Sequence, residues 1–316
     1  MQTQQNCKAL ISCPLLSAAD PSHAPCTIVA SHRAQGWECA PIASRTCTLA
    51  AVVLAGIAFL AFAAGCADTR VPAARIARES GFQEDLIQGA GFRHRIYRHL
   101  ARDGVAGVLH IYIEGDGRPF IAHTFVTADP TPRDPLMLHL MALDPAPSVY
   151  LGRPCYFGLA HDRGCNSSFW TLKRFSPEVI ASLAAALRSE AERVQASSIE
   201  IYGHSGGGTL AVLLAARVPR VTHVITIGAT LDIAAWCSLH GYSPLLGSMN
   251  PARSHLDLEG IRVLHLVGSE DTNTPPEFVK SAAAQMGAED AVRVIPGYTH
   301  NCCWQQLWRA ALSGSL

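Results

Sequence analysis

Residues 199–217 read IEIYGHSGGGTLAVLLAAR. An apolar run rich in isoleucine passes through four glycines set around a single serine, Ser205, and then turns apolar again. Gly203-His204-Ser205-Gly206-Gly207 has the form G-x-S-x-G, a pattern that is weak on its own. Its setting adds weight. A strand is expected before it and a helix after it, the context in which such a serine is held on a tight strand-to-helix turn in strained backbone geometry. Side chains at Gly203 and Gly207 would collide with the neighbouring strand and helix. Gly206 can bring its N–H to a bound oxyanion at the positive end of the helix. The plainer reading is a glycine-rich turn that holds an ordinary serine.

The segments on either side alternate in character. Residues 108–113, 148–151, 198–203, 221–228, 261–268 and 291–296 are short, rich in Val and Ile, and read as strands. Residues 92–99, FRHRIYRH, read as an edge strand. Between them lie helix patterns. Ser176-Pro177 has the form of an N-cap followed by Pro at the first helical position, and Ile180, Leu183, Leu187, Ala191 and Val194 then share one face. Thr274-Pro275-Pro276 opens a second helix that Gly287 closes. Residues 206–217 form a third, apolar all round and therefore buried. This alternation predicts an α/β fold, a mostly parallel sheet with helices on both faces, whose ligands gather at the carboxyl ends of the strands. Residues 152–171 and 231–260 interrupt the pattern, and the second excursion is long enough to form a short cap over the site.

A serine hydroxyl is a weak nucleophile, so it needs a base, and the base needs an acid to orient it. In sheets of this kind the chain order is Ser, acid, His. LVGSEDTNTPP supplies Asp271 just past a strand; Glu270 is its rival, and the plainer role for Asp271 is a turn or helix cap. VRVIPGYTHNCCW supplies His300 past the last strand. His204 is the other candidate base, but it precedes the serine on the strand, so its side chain is expected to point away from Ser205. Two donors are also needed for an oxyanion. IYIEGDGRPF follows the first strong strand and offers the Asp116 backbone N–H beside that of Gly206. A carboxylate at that point is awkward, so its side chain should turn away or be neutralised by Arg118 or Arg153. An acidic β-turn is the plainer alternative.

The ordered set EGDG, GHSGGGTLA, GSEDTNTPP and GYTHNCCW resembles the α/β-hydrolase superfamily over about residues 90–310, and is similar within it to a group of bacterial lipoprotein hydrolases. The resemblance implies an α/β-hydrolase fold with Ser205 as nucleophile, Asp271 as acid, His300 as base, and the Asp116 and Gly206 amides as oxyanion donors. The superfamily's usual His-Gly ahead of the oxyanion residue is Glu114-Gly115 here. The expected activity is a serine hydrolase acting on a small-molecule ester through an acyl-enzyme, with no cofactor. An amidase, peptidase, thioesterase or acyltransferase uses the same parts, and a non-catalytic binding protein can keep the fold. Trp236, Tyr242, Leu245 and Leu246 suit an apolar acyl pocket, or simply core.

The totals agree with a folded enzyme. The 316 residues carry 25 basic and 25 acidic side chains, which gives no electrostatic ground for a nucleic-acid partner. The fourteen histidines are scattered without HExxH or paired CxxC, so no zinc site is expected. The first residues differ from the rest. After Arg45, residues 48–66 (TLAAVVLAGIAFLAFAAGC) form an uncharged apolar run. As a helix it falls short of the roughly 30 Å hydrocarbon core. A basic residue, an apolar stretch and then small residues is the layout of a secretory signal. Its end, Ala63-Ala64-Gly65-Cys66, resembles a bacterial lipobox with Ala63 in place of the usual Leu, and implies lipidation at Cys66 and a membrane partner through that anchor. An anchor helix or an unlipidated signal fits the same run. Residues 1–66 are thus expected to be an extension and signal segment, and residues 67–316 the hydrolase domain. Export permits disulfides, and Cys155 and Cys165, which flank a glycine-containing loop, are the expected pair. The five cysteines past Cys66 leave an odd one.

Overall fold

The structure, a computed structural model, describes residues 71–100, 107–122 and 124–316. The apolar run at 48–66 and Cys66 lie outside the described residues. No helix among the described residues is long and apolar enough to cross a membrane.

Helix α1 (Val71–Glu79) leads into the hairpin of β1 (Gln83–Gln88) and β2 (Arg93–His99). Strand β3 (Val108–Ile113) is followed by a two-stranded ribbon, β4 (Phe120–Ile121) and β5 (Phe125–Val126), then by α2 (Leu136–Met141) and β6 (Ser148–Leu151). The rest alternates: α3 (Pro177–Arg193), β7 (Ser198–His204), α4 (Gly206–Ala215), β8 (Val221–Ile227), α5 (Ile233–His240), β9 (Arg262–Gly268), α6 (Pro276–Gln285), β10 (Val292–Ile295) and α7 (Trp308–Leu312). Eight strands form one sheet in the order β1-β2-β6-β3-β7-β8-β9-β10. β1, β2 and β6 pair antiparallel, and every pair from β6 to β10 is parallel. β7, which carries the serine at its end, is therefore central, with β3 on one side and β8 on the other.

Each face of the sheet has its own core, as the period-two alternation of a strand requires. On one face Ile111, Ile113, Ile199 and Ile201 are fully buried under α3 and α4, beside Leu183 and Leu210. On the other, Tyr112, Tyr150 and Tyr202 pack against Met141 of α2 and Trp308 of α7. The Trp308 indole donates to the Tyr112 hydroxyl at 3.2 Å, and that hydroxyl donates to Asp144 at 2.6 Å. Burial on both faces is why these strands read as nearly unbroken apolar runs.

α3 begins as its sequence predicts, with the Ser176 side chain accepting from the Val179 amide and Pro177 in the first turn. Residues 92–99 are not the edge strand. They lie second, covered by β1, whose residues QEDLIQ are almost all exposed. A polar edge strand has no apolar alternation to betray it and gains its place by backbone pairing. Arg98 of β2 ties this corner together, reaching Asp85 of β1 at 2.6 Å and Glu190 of α3 at 2.7 Å. Helices α1, α2 and α7 are short and fall outside the helices expected from the sequence. The excursion after β8 contains α5, capped by the Asp232 carboxylate on the Ala234 and Ala235 amides and ended by Gly241 in left-handed geometry. In the other excursion Cys155 and Cys165 form a disulfide. Cys302 and Cys303 are bridged to each other, and Cys237 is the free, buried thiol among the described residues.

Candidate active site

Ser205 joins β7 to α4 with φ 53° and ψ −122°, a left-handed conformation that costs a non-glycine residue about 1–3 kcal/mol. The surroundings over-determine it. The Ser205 amide donates to the Ile227 carbonyl of β8 at 2.8 Å, and its carbonyl accepts from the Gly208 and Thr209 amides at 2.9 and 3.2 Å. The flanking glycines allow backbone contacts that no side chain permits. A Cβ at Gly203 would strike the Gly207 carbonyl, and a Cβ at Gly207 would strike the Ile113 and Glu114 carbonyls at the end of β3. Gly206 is needed for a second reason, since the Asp116 carboxylate occupies the space a Cβ would take.

Asp271 follows β9 and is buried. Its Oδ1 accepts from the Asn273 and Thr274 amides at 2.9 and 2.8 Å, and its Oδ2 from the Thr274 hydroxyl at 3.0 Å and from His300 Nδ1 at 2.8 Å. Glu270, its rival, is exposed. Burial raises the Asp271 pKa, but the bond and charge of His300 together with Thr274 outweigh it and leave it below the ordinary carboxylate value. Burial pushes the His300 pKa down. Asp271 opposes this and the nearby His204 reinforces it, so the imidazole is held below its usual value.

The far nitrogen of His300 is engaged by a residue that sequence reading passed over. Asn273 Nδ2 donates to His300 Nε2 at 3.1 Å, which, with Nδ1–H given to Asp271, leaves Nε2 as an acceptor. Ser205 and His300 line the same cavity, but the Ser205 hydroxyl makes no hydrogen bond among the described residues. The Asn273 backbone carbonyl also accepts from Trp236 Nε1 and His240 Nε2 of α5, at 3.1 and 2.8 Å. The acid loop and the cap excursion are thus tied at one residue. Only the asparagine's place two residues after Asp271 hinted at this.

His204 departs from expectation. Its side chain does not leave the site but lines the cavity with Ser205, its ring 4.7 Å from that of His300 between centroids. Its Nε2 donates to the His300 carbonyl at 2.9 Å, and its Nδ1 lies 3.7 Å from the buried Glu114. It therefore braces the loop that carries His300.

Asp116 ends its awkwardness through two partners rather than one. Arg153 and Arg174 each donate to its carboxylate, Arg174 at 2.7 Å, whereas Arg118, a candidate for this role, makes no such bond. Burial raises the Asp116 pKa, but the charges of Arg174 and Arg153 outweigh it and hold it at about 2. Arg174 lies 58 residues away in sequence, and only the fold brings it to Asp116. The Tyr156 hydroxyl donates to the Asp116 carbonyl at 3.0 Å and fixes the peptide. Neither the Asp116 nor the Gly206 amide donates to another group among the described residues, so both remain available. Glu114 accepts from the Met137 amide at 2.9 Å and anchors the start of α2.

These groups surround a cavity of about 930 Å³, to which Trp236, Tyr242 and Leu245 contribute an apolar wall. Leu246, grouped with them on sequence, is instead 69% exposed. Among the described residues no cluster of His, Cys, Asp and Glu is arranged to hold a metal ion.

No protein-family model matches the chain, and no curated protein matches it. Solved structures do. An esterase from Pyrococcus furiosus superposes with TM-score 0.53 at 10% identity, covering 75% of this chain and 91% of its own. A protein of unknown function from Agrobacterium tumefaciens, proposed to be an α/β hydrolase, gives 0.50 at 14%, covering 74% and 98%. A puromycin hydrolase gives 0.51 at 15%, covering 74% and 38%. At such identities the likeness speaks to architecture alone, and with the strand order above it shows that this chain has the α/β-hydrolase fold.

Proposed function

We propose that the protein is a serine hydrolase that cleaves an ester-type bond in a small acyl substrate through an acyl-enzyme. The observation that carries this reading is the Asp271–His300 pair at 2.8 Å, opening into the same cavity as a serine held in left-handed backbone at a helix start. Ser205 attacks the carbonyl while His300 Nε2 takes its proton. Asp271 keeps the Nδ1–H tautomer and stabilises the imidazolium that forms. The tetrahedral oxyanion binds the Asp116 and Gly206 amides, where losing one donor typically costs roughly 10²–10³ in rate. His300 then protonates the leaving group and activates water for deacylation. Amide, thioester and acyl-transfer chemistry use the same steps, so the bond type rests on substrate tests.

One observation favours a second reading, a binding protein on the same fold: Asn273, not Ser205, bonds His300 Nε2. Catalytic hydrogen bonds are often loose before substrate arrives, and a substrate that displaces the Asn273 amide frees the base.

The N-terminal segment completes the proposal. Residues 1–66 act as an export signal with its extension, and lipidated Cys66 anchors the domain that follows to a cell-envelope membrane. The Cys155–Cys165 disulfide supports an oxidising compartment.

Ser205→Ala and His300→Ala should each abolish p-nitrophenyl ester hydrolysis in steady-state assays; activity persisting in either variant rules out the triad, and no activity in the wild type favours the binding protein. The acid limb of kcat/KM should have its midpoint below about 6.5, because the base works only when neutral and burial holds the imidazole neutral to lower pH. A midpoint above that value contradicts the assignment of His300. Metabolic labelling with an alkyne fatty acid should mark the wild-type chain and not Cys66→Ala; equal labelling of both removes the anchor.

A further inference from the structure

The two sides of the cavity differ in chemistry. Strands β3 and β8 flank β7, so the loops that follow them approach Ser205 from opposite sides. The excursion after β8 brings Trp236, Tyr242 and Leu245. The loop after β3 brings Arg118 and Arg133, and Arg174 joins them from the segment ahead of α3.

Every carboxylate on that side already has a protein partner. Asp116 is held by Arg153 and Arg174, Glu114 accepts from the Met137 and Gly115 amides, and Asp134 bonds His139 at 2.7 Å. The guanidinium groups are not matched in return. Among the described residues Arg118 and Arg133 make no side-chain hydrogen bond or ion pair, although both line the cavity. The Arg174 side chain is only 5% exposed. Its Nε donates to the Thr171 carbonyl and its Nη1 to Asp116, while its Nη2 has no partner among the described residues, and the residue lines the cavity. A buried guanidinium with a donor left open is completed best by an anion, and its planar fork suits carboxylate and phosphate oxygens.

We propose that Arg118 and Arg174, with Arg133 at the mouth, form an oxyanion-binding subsite, and that the substrate is an ester joining an apolar group to a carboxylate- or phosphate-bearing one. The proposal rests on the serine-hydrolase reading. The apolar group lies toward Trp236 and Leu245, the charged group toward Arg118, and the scissile carbonyl between them at Ser205. The four guanidinium groups of Arg118, Arg133, Arg153 and Arg174 outnumber the three carboxylates of Glu114, Asp116 and Asp134, which leaves this side with a formal excess of one positive charge. An anionic substrate therefore gains attraction there without meeting an unpaired acid.

The test compares kcat/KM within matched pairs: mono-p-nitrophenyl glutarate against p-nitrophenyl pentanoate, which places the charge on the acyl side, and the butyrate ester of glycerol phosphate against that of glycerol, which places it on the leaving group. At least one charged member should be preferred by about tenfold or more, and the preference should weaken as salt rises. Arg118→Gln should erase most of that preference. Both rates of a pair are read on the same sample, so any loss of folded enzyme cancels in the ratio. Arg174 is left intact because it also holds Asp116. Neutral esters preferred in both pairs, or a ratio unchanged in Arg118→Gln, overturns the subsite while leaving the serine-hydrolase reading standing. Turnover of no ester at all, or turnover that survives Ser205→Ala, overturns that reading instead.

Discussion

The site depends on a steric constraint at the end of β7. Helix α4 can start where it does only because Gly207 has no Cβ to meet the Ile113 and Glu114 carbonyls, and Gly203 none to meet the Gly207 carbonyl. This close approach holds Ser205 in left-handed backbone, while its amide bond to Ile227 ties the turn to β8. Ser205 is thereby referenced to the strands on both sides. The same geometry leaves the Gly206 amide unbonded at the helix start and brings the end of β3, with Asp116, alongside it.

Electrostatics decides whether that arrangement can work. A carboxylate beside a developing oxyanion would oppose the reaction. Here it is set between Arg153 and Arg174, and its peptide is held from the other side by Tyr156. The cluster has a cost, since Arg153 Nε is buried with no partner among the described residues, an arrangement worth roughly 1–3 kcal/mol of destabilisation. On the other side of the cavity two influences compete on His300. Burial favours the neutral imidazole, and Asp271 favours the charged imidazolium. Asn273 and His204 set the ring's surroundings, one through the imidazole itself and one through the backbone carbonyl.

Much of this was legible in the sequence because local chemistry dictates it. The strand, turn and helix around Ser205 follow from a switch of apolar period with glycines at the switch, and the α3 start follows from Ser176-Pro177. The placement of Asp271 and His300 after successive strands follows from chain order. What was not legible depends on contacts between distant segments. β1 joins the sheet through its backbone, so its exposed polar residues gave no alternation to read. The partner of Asp116 is a matter of which arginine the fold delivers, and Arg118, two residues away, loses to Arg153 and Arg174, which lie 37 and 58 residues away. His204 reads as a strand residue facing away, but the loop that follows β10 brings His300 against its ring. Short helices such as α2 and α7 have too few turns to show a period.

The excursions on either side of β7 convert a common scaffold into a particular cavity. One supplies the apolar wall from α5 and is fastened to the acid loop through the Asn273 carbonyl. The other, closed by the Cys155–Cys165 disulfide, supplies Arg153, which neutralises Asp116 together with Arg174 from the segment ahead of α3. The most direct test of the central claim is to treat the folded protein with a fluorophosphonate probe and map the adduct by peptide mass spectrometry. An activated serine predicts a single adduct on Ser205 that denaturation beforehand abolishes. No adduct, or one on another residue with Ser205 unmodified, would contradict it.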